Sequence, residues 1–195
     1  MVRESLGQIL LSTTLSGNFV LAMFLGMCPF LGVTQNVSIA FPLGLATSFV
    51  IIIASLSAYG LNLILGIWHL EFLRLICYIV VIASAVQLVE MFVKKNSPAL
   101  FRALGIYLPL ITTNCAILGL ALFQTSRHYN LVEALVFALG AGFGLTLALS
   151  LLASIRERIE VADMPVIARR MGLVLVIASS LSMAFMGFAG MGSAP

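Results

Sequence analysis

Leu25-Gly26-Met27-Cys28-Pro29-Phe30-Leu31-Gly32 interrupts a hydrophobic run with glycine and proline and sets a thiol at the interruption. The same features return at Thr112-Thr113-Asn114-Cys115-Ala116-Ile117-Leu118-Gly119, and both stretches contain Cys-x-x-Leu-Gly. Pro29 has no backbone N–H and disfavours helix at the residue before it, so a helix is expected to end or break at Cys28. Gly26 and Gly32 let the chain turn and let a bulky group approach. Around Cys115, Pro109 breaks the run about one and a half turns earlier, and Gly105 and Gly119 flank the thiol. Thr112, Thr113 and Asn114 offer hydroxyl and amide groups that satisfy freed backbone or donate to a sulfur. A repeated, broken apolar segment with a thiol at the break points to a buried metal or redox centre built on internal symmetry. Two thiolates do not complete a four-cysteine site, so a partner chain is expected to bring the rest.

The surroundings of these stretches are those of a membrane. The chain is 62% hydrophobic and 9% charged, with a mean hydropathy of +1.16. Soluble domains lie nearer 45–50% apolar and about 25% charged. The apolar stretches run without the period-two alternation of a barrel strand, so helices are expected. The net charge of +3 comes from loop lysines and arginines. No basic run is long enough to track a phosphate backbone, which argues against nucleic acid. The N-terminal apolar run continues too far for a cleavable signal. Three cysteines exclude an extracellular disulfide framework. Cys77, in Leu75-Ile76-Cys77-Tyr78-Ile79, reads as a packed hydrophobe.

Six membrane segments are expected, over Gln8 to Cys28, Ile39 to Leu65, Phe72 to Val93, Leu100 to Phe123, Leu131 to Ile155 and Met171 to Met191. Short connections make residues 1–195 a single membrane domain. The loop Lys94-Lys95-Asn96-Ser97-Pro98 divides it into halves of about 1–95 and 96–195. Segments one and four share the cysteine motif, and segments two and five share Leu43-Gly44 and Leu139-Gly140. Three crossings per half make the second half enter from the opposite side, which predicts a 3+3 inverted repeat with broken helices one and four. Its axis would bring Cys28 and Cys115 towards each other near the midplane. Basic residues set the orientation. Lys94, Lys95, Arg102, Arg156, Arg158, Arg169 and Arg170 outnumber Arg3, Arg74 and Arg127 on the other side. The Lys94 and Arg156 loops are therefore expected in the cytoplasm and both termini outside. The polar stretch from Arg156 to Pro165 reads as a short cytoplasmic helix.

Thiolates bind iron–sulfur clusters, zinc or copper(I). A structural zinc at mid-membrane has little to stabilise that helix packing does not. A redox cluster has a reason to be there, because electrons crossing an apolar slab about 30 Å thick need a relay. Glu90, four residues before Lys94, is a carboxylate at membrane depth and a candidate for an ion pathway; the plainer reading is a carboxylate snorkelling to the interface. Asn18, Asn62 and Gln87 are expected to hydrogen-bond between helices. Gly140-Ala141-Gly142-Phe143-Gly144 reads as close helix packing and not as a nucleotide loop. His69 and His128 read as solvated loop residues.

At this point the residues match a known family. Asn18-Phe19-Val20-Leu21, the stretch from Phe24 to Val33, the stretch from Leu104 to Gly119, Ile155-Arg156-Glu157-Arg158 and Met183-Ala184-Phe185-Met186-Gly187-Phe188 resemble the RnfA/NqrE family of membrane subunits. Pro29 after the first cysteine and the ending from Met183 to Phe188 lean towards the Rnf complex, an ion-translocating ferredoxin:NAD oxidoreductase. The equivalent subunit of a Na⁺-translocating NADH:quinone reductase is the near alternative. The resemblance implies a bacterial inner-membrane protein that pairs with a homologous RnfE-like subunit of opposite topology. It also implies a [2Fe–2S] cluster shared by the pair, with Cys28 and Cys115 as this chain's ligands. Iron–sulfur, flavin and NAD-binding subunits would complete the electron path, and Na⁺ or H⁺ movement would be coupled to it. Alone the chain would catalyse nothing. The main reading from another class is a small secondary transporter with an inverted repeat, which needs the breaks but has no need of a thiol at both.

Overall fold

The computed structural model describes residues 5–32, 37–68, 71–96, 111, 113–160 and 171–188. All regular structure among the described residues is helical. Helix α1 (Leu6–Leu11) runs into a π-helical turn (Ser12–Ser16), followed by α2 (Phe19–Met23) and α3 (Met27–Gly32). The long helix α4 (Val37–Trp68) comes next. A 3₁₀ turn (Glu71–Leu73) leads into α5 (Arg74–Asn96). Helix α6 (Cys115–Ser126), α7 (Leu131–Glu160) and α8 (Met171–Met186) complete the order.

Three of these helices are long and apolar enough to cross a membrane, over Val37–Ile67, Arg74–Met91 and Leu131–Ile159. Cys115–Ser126 and Gly172–Met186 are shorter apolar helices. The outward faces carry Leu88, Phe143, Val176 and Met183, all exposed, as suits a chain surrounded by lipid or by other subunits. The expected first segment is not one helix but three short pieces. The fourth begins, among the described residues, at Ile111, so Gly105, Pro109 and Thr112 lie outside them. Arg156–Glu160 continues α7 and does not start a separate helix; residues 161–170 lie outside the described set.

The core is the crossing of α4 and α7. Gly44 faces Thr146, Ser48 faces Gly142, and Ser55 Oγ lies 3.3 Å from the Ala134 carbonyl oxygen. Position rises along one helix as it falls along the other, so the two run antiparallel. The approach is close because both crossing points are glycine. A Cβ on Gly44 would stand 2.9 Å from Thr146 Cγ2, and one on Gly142 would stand 2.8 Å from Ser48 Cβ. Ser48 Oγ donates to the Gly142 carbonyl at 2.9 Å and lies 3.0 Å from Thr146 Oγ1. Small residues and interhelical hydroxyls are how helices associate where lipid removes the hydrophobic drive. The contacts are reciprocal: a glycine of each helix meets a hydroxyl residue of the other. By these contacts the counterpart of Gly44 on α4 is Gly142 on α7, whereas the sequence match aligns Leu43-Gly44 with Leu139-Gly140.

Helix α6 is tied in by buried polar pairs. Ser55 Oγ donates to Gln124 Oε1 at 2.7 Å, Gln124 Nε2 donates to the Ser55 carbonyl at 3.2 Å, and Tyr78 OH lies 2.7 Å from Thr125 Oγ1. Gly140 and Gly144 seat the π-helical turn against α7, close to Leu10, Thr13, Thr14 and Asn18. The glycine-rich stretch is thus a packing surface on two faces of α7.

Candidate thiol centre

An asparagine caps each of two helices, α2 and α6. Asn18 has φ −58° and ψ 120°, and its Oδ1 accepts the Val20 N–H at 3.1 Å to cap α2. Asn114 has φ −72° and ψ 114°, and its Oδ1 accepts the Ala116 N–H at 3.0 Å to cap α6. A helix start leaves orphan N–H groups, and a capping oxygen satisfies one of them. In a bilayer that satisfaction matters more, since water is not at hand. Asn18 Nδ2 also donates to the Gly144 carbonyl at 2.8 Å, the interhelical role expected of it. Gln87 is exposed and Asn62 half-buried.

After α2 the chain turns sharply. Phe24 is left-handed at φ 55°, and Gly26 is at φ 84°. The freed Leu21 carbonyl accepts from Ser182 Oγ at 2.6 Å, so α8 satisfies what the break exposes. The turn docks on the start of α6. Leu25 fills the space above Gly119, where a Cβ would lie 2.7 Å from Leu25 Cδ1. Gly26 packs against Ala116, Asn114 and Leu145. Its N–H donates to Cys115 Sγ at 2.8 Å.

Cys115 is the first residue of α6 and is half-buried. Cys28 is exposed and lies in the first turn of α3, two residues beyond Gly26. The break therefore precedes Cys28 and does not fall at it. Pro29 is the third residue of α3, where an absent N–H costs no intrahelical bond. The two cysteines also hold different places in their halves. Cys115 directly follows a capping asparagine, while Cys28 follows the next turn. The local equivalence is Asn18 with Asn114, visible in Ser-Gly-Asn-Phe-Val-Leu and Thr-Thr-Asn-Cys-Ala-Ile, and the Cys-x-x-Leu-Gly match obscures it.

Among the described residues no group of three or more His, Cys, Asp or Glu side chains comes together. What the chain offers is a pair of thiols, one bearing a backbone N–H and one facing outward. Asn114, the residue before Cys115, keeps a buried amide nitrogen, Nδ2, with no hydrogen-bond partner among the described residues. This donor set fits half of a thiolate-ligated iron–sulfur site completed from outside the chain. Cys77 is half-buried in α5 beside the fully buried Tyr78. Glu90 is also on α5, half-buried, one turn before the exposed Lys94. His128 is exposed in the loop before α7; His69 lies outside the described residues.

The chain is similar over nearly its whole length to known membrane proteins. A family model described as "Rnf-Nqr subunit, membrane protein" matches residues 6–192. A protein of Syntrophotalea carbinolica, named as a component of an ion-translocating oxidoreductase complex, is 50% identical over 189 residues, covering 96% of this chain and 98% of its own. Proteins of the same name from Vibrio vulnificus and Actinobacillus pleuropneumoniae are 47% and 49% identical, covering 94% of this chain and 96% and 95% of theirs. With the family model matching residues 6–192 and near-complete coverage by these relatives, the chain belongs to the Rnf-Nqr family of membrane proteins.

Proposed function

We propose that this chain is a membrane component of an Rnf-type ion-translocating oxidoreductase, and that Cys28 and Cys115 supply half the ligands of a [2Fe–2S] cluster shared with a homologous partner. The observation that carries the reading is the Gly26 N–H on Cys115 Sγ, which joins the turn leading into Cys28 to the second thiol. When bound, such a cluster supplies a one-electron relay inside the apolar slab. The residues of this chain do the rest. The Gly26 N–H donates to Cys115 Sγ and fixes the inner thiol against the turn. The exposed Cys28 leaves the pair open to a second protein of the complex. Leu25 packs on Gly119, and Ala116 and Leu145 pack on Gly26, so apolar contacts hold the turn beside the inner thiol.

The names of the relatives favour the Rnf complex over the Na⁺-translocating quinone reductase. Electrons would pass between iron–sulfur, flavin and NAD-binding subunits on either side, coupled to Na⁺ or H⁺. Glu90 is the candidate carboxylate for the ion. The reciprocal glycine–hydroxyl contacts of the antiparallel α4 and α7 support an inverted repeat of three segments each, and the excess of basic residues in the Lys94 and Arg156 loops supports both termini on the outer face. A transporter reading draws on the same broken helices, but it leaves the paired thiols without a use.

The test is a set of cysteine variants in the intact complex. Cys28→Ser and Cys115→Ser should each abolish the cluster's paramagnetic signal, and the double variant should be no worse than either. Cys77→Ala should keep iron and signal, at a packing cost of order 1 kcal/mol. A wild-type spectrum in Cys115→Ser would end the ligand assignment. A colourless, iron-free complex would favour the transporter.

A further inference from the structure

Asn18 and Asn114 do the same work with their oxygens and differ in their nitrogens. Both Oδ1 atoms cap a helix by accepting the N–H two residues on. Asn18 Nδ2 donates to the carbonyls of Gly144 at 2.8 Å and Thr14 at 3.3 Å. Asn114 is only 4% exposed, and its Nδ2 has no hydrogen-bond partner among the described residues. A buried donor left unmade is costly, and more so in hydrocarbon. Capping needs only an oxygen, which serine, threonine or aspartate supplies as well. The amide nitrogen of Asn114 is therefore surplus to the helix and unsatisfied among the described residues.

Its position says what acceptor would satisfy it. Asn114 directly precedes Cys115 and lies against Gly26, where a Cβ would come 3.3 Å from Asn114 Oδ1. Gly26 already donates to Cys115 Sγ. The Cys115 thiol, the turn and the Asn114 side chain, through its Oδ1, share one set of contacts, and the orphan nitrogen belongs to that side chain. The acceptor that this set lacks is the one that arrives when the site is completed.

We propose that Asn114 Nδ2 donates a hydrogen bond to a sulfur of the completed cluster and so raises its reduction potential; the inference rests on Cys28 and Cys115 being ligands. The sulfur is more negative after reduction, so a donor aimed at it favours the reduced state, and hydrogen bonds to sulfur are a known control of such potentials. The Gly26 N–H acts in the same sense on Cys115, with Asn114 as a second donor. Reduction here adds one electron from a chemical reductant, and no bond is made or broken.

The experiment is a redox titration with dithionite, followed by paramagnetic resonance, on the purified complex carrying Asn114→Ser, Asn114→Asp or Asn18→Ser, with iron measured in each. Asn114→Ser keeps a capping oxygen and loses the amide. It should retain iron and shift the reduction equilibrium roughly tenfold towards the oxidised state, about 59 mV for a one-electron couple. Asn114→Asp keeps the shape and the cap but adds charge, and should shift it at least as far. Asn18→Ser should titrate as wild type, because its amide serves two carbonyls of this chain. A wild-type midpoint in Asn114→Ser with iron intact would overturn the proposal, as would an equal shift in Asn18→Ser. If Asn114→Ser loses its iron, the midpoint of Asn114→Asp decides by the same criterion. A cluster that survives in Cys115→Ser would instead defeat the ligand reading beneath it.

Discussion

Replacing Gly26 by alanine tests whether the turn at residues 24–26 holds the thiol centre together. Gly26 sits at φ 84°, where an L side chain costs about 1–2 kcal/mol. The added methyl would lie 3.3 Å from each of Ala116 Cβ, Asn114 Oδ1 and Leu145 Cδ1. Contact on three sides leaves no direction for relief, and the low end of overpacking adds about 1 kcal/mol. The sum is about 2–3 kcal/mol. For a chain of this size that lowers the midpoint of thermal unfolding by about 4–12 °C. Relief by moving the backbone would pull the Gly26 N–H away from Cys115 Sγ, so iron should be lost on a milder schedule than the fold. The assay is thermal unfolding of the detergent-purified complex with iron measured along the ramp. Gly60→Ala is the control, because a Cβ there has no neighbour within 4 Å and the site lies inside α4. That change should be neutral or stabilise by about 0.5–1 kcal/mol. Gly26→Ala with wild-type melting and wild-type iron retention would refute the reasoning, since neither the strained φ nor the three contacts would then exist.

Three further outcomes follow from the structure. Gly142→Ala should destabilise by about 1–3 kcal/mol, with Ser48→Gly partly rescuing it in the double variant; additive losses would mean that the clash at 2.8 Å is not with Ser48 Cβ. Glu90→Gln should slow ion-coupled turnover while leaving iron content unchanged, and an unaltered dependence of rate on Na⁺ and on pH would return Glu90 to an interfacial role beside Lys94. Reporter fusions should find the loop after Lys95 in the cytoplasm and a C-terminal fusion outside; a cytoplasmic C-terminus would refute the proposed orientation.

Composition determined that this is a membrane protein, because a chain 62% hydrophobic and 9% charged has nowhere else to bury its surface, and the lack of period-two alternation made it helical. The cysteine stretches were legible too, since thiols beside chain-breaking residues stand out in an otherwise uniform apolar background. The place of the break was not. Pro29 advertises a break locally, yet a proline is harmless in the first turn of a helix, and what stops α2 is a left-handed Phe24 and Gly26 held by contacts with α6 and α8. The pairing of the halves was hidden for a similar reason. Cys-x-x-Leu-Gly is a similarity of letters, whereas the capping of α2 by Asn18 and of α6 by Asn114 is a similarity of backbone geometry. Glycine-rich stretches announced close packing, but which glycine faces which hydroxyl depends on the antiparallel crossing of two helices far apart in the chain. The orphan nitrogen of Asn114 belongs wholly to the tertiary structure. Two asparagines with the same local role differ only in what lies across from them, and periodicity carries no information about that.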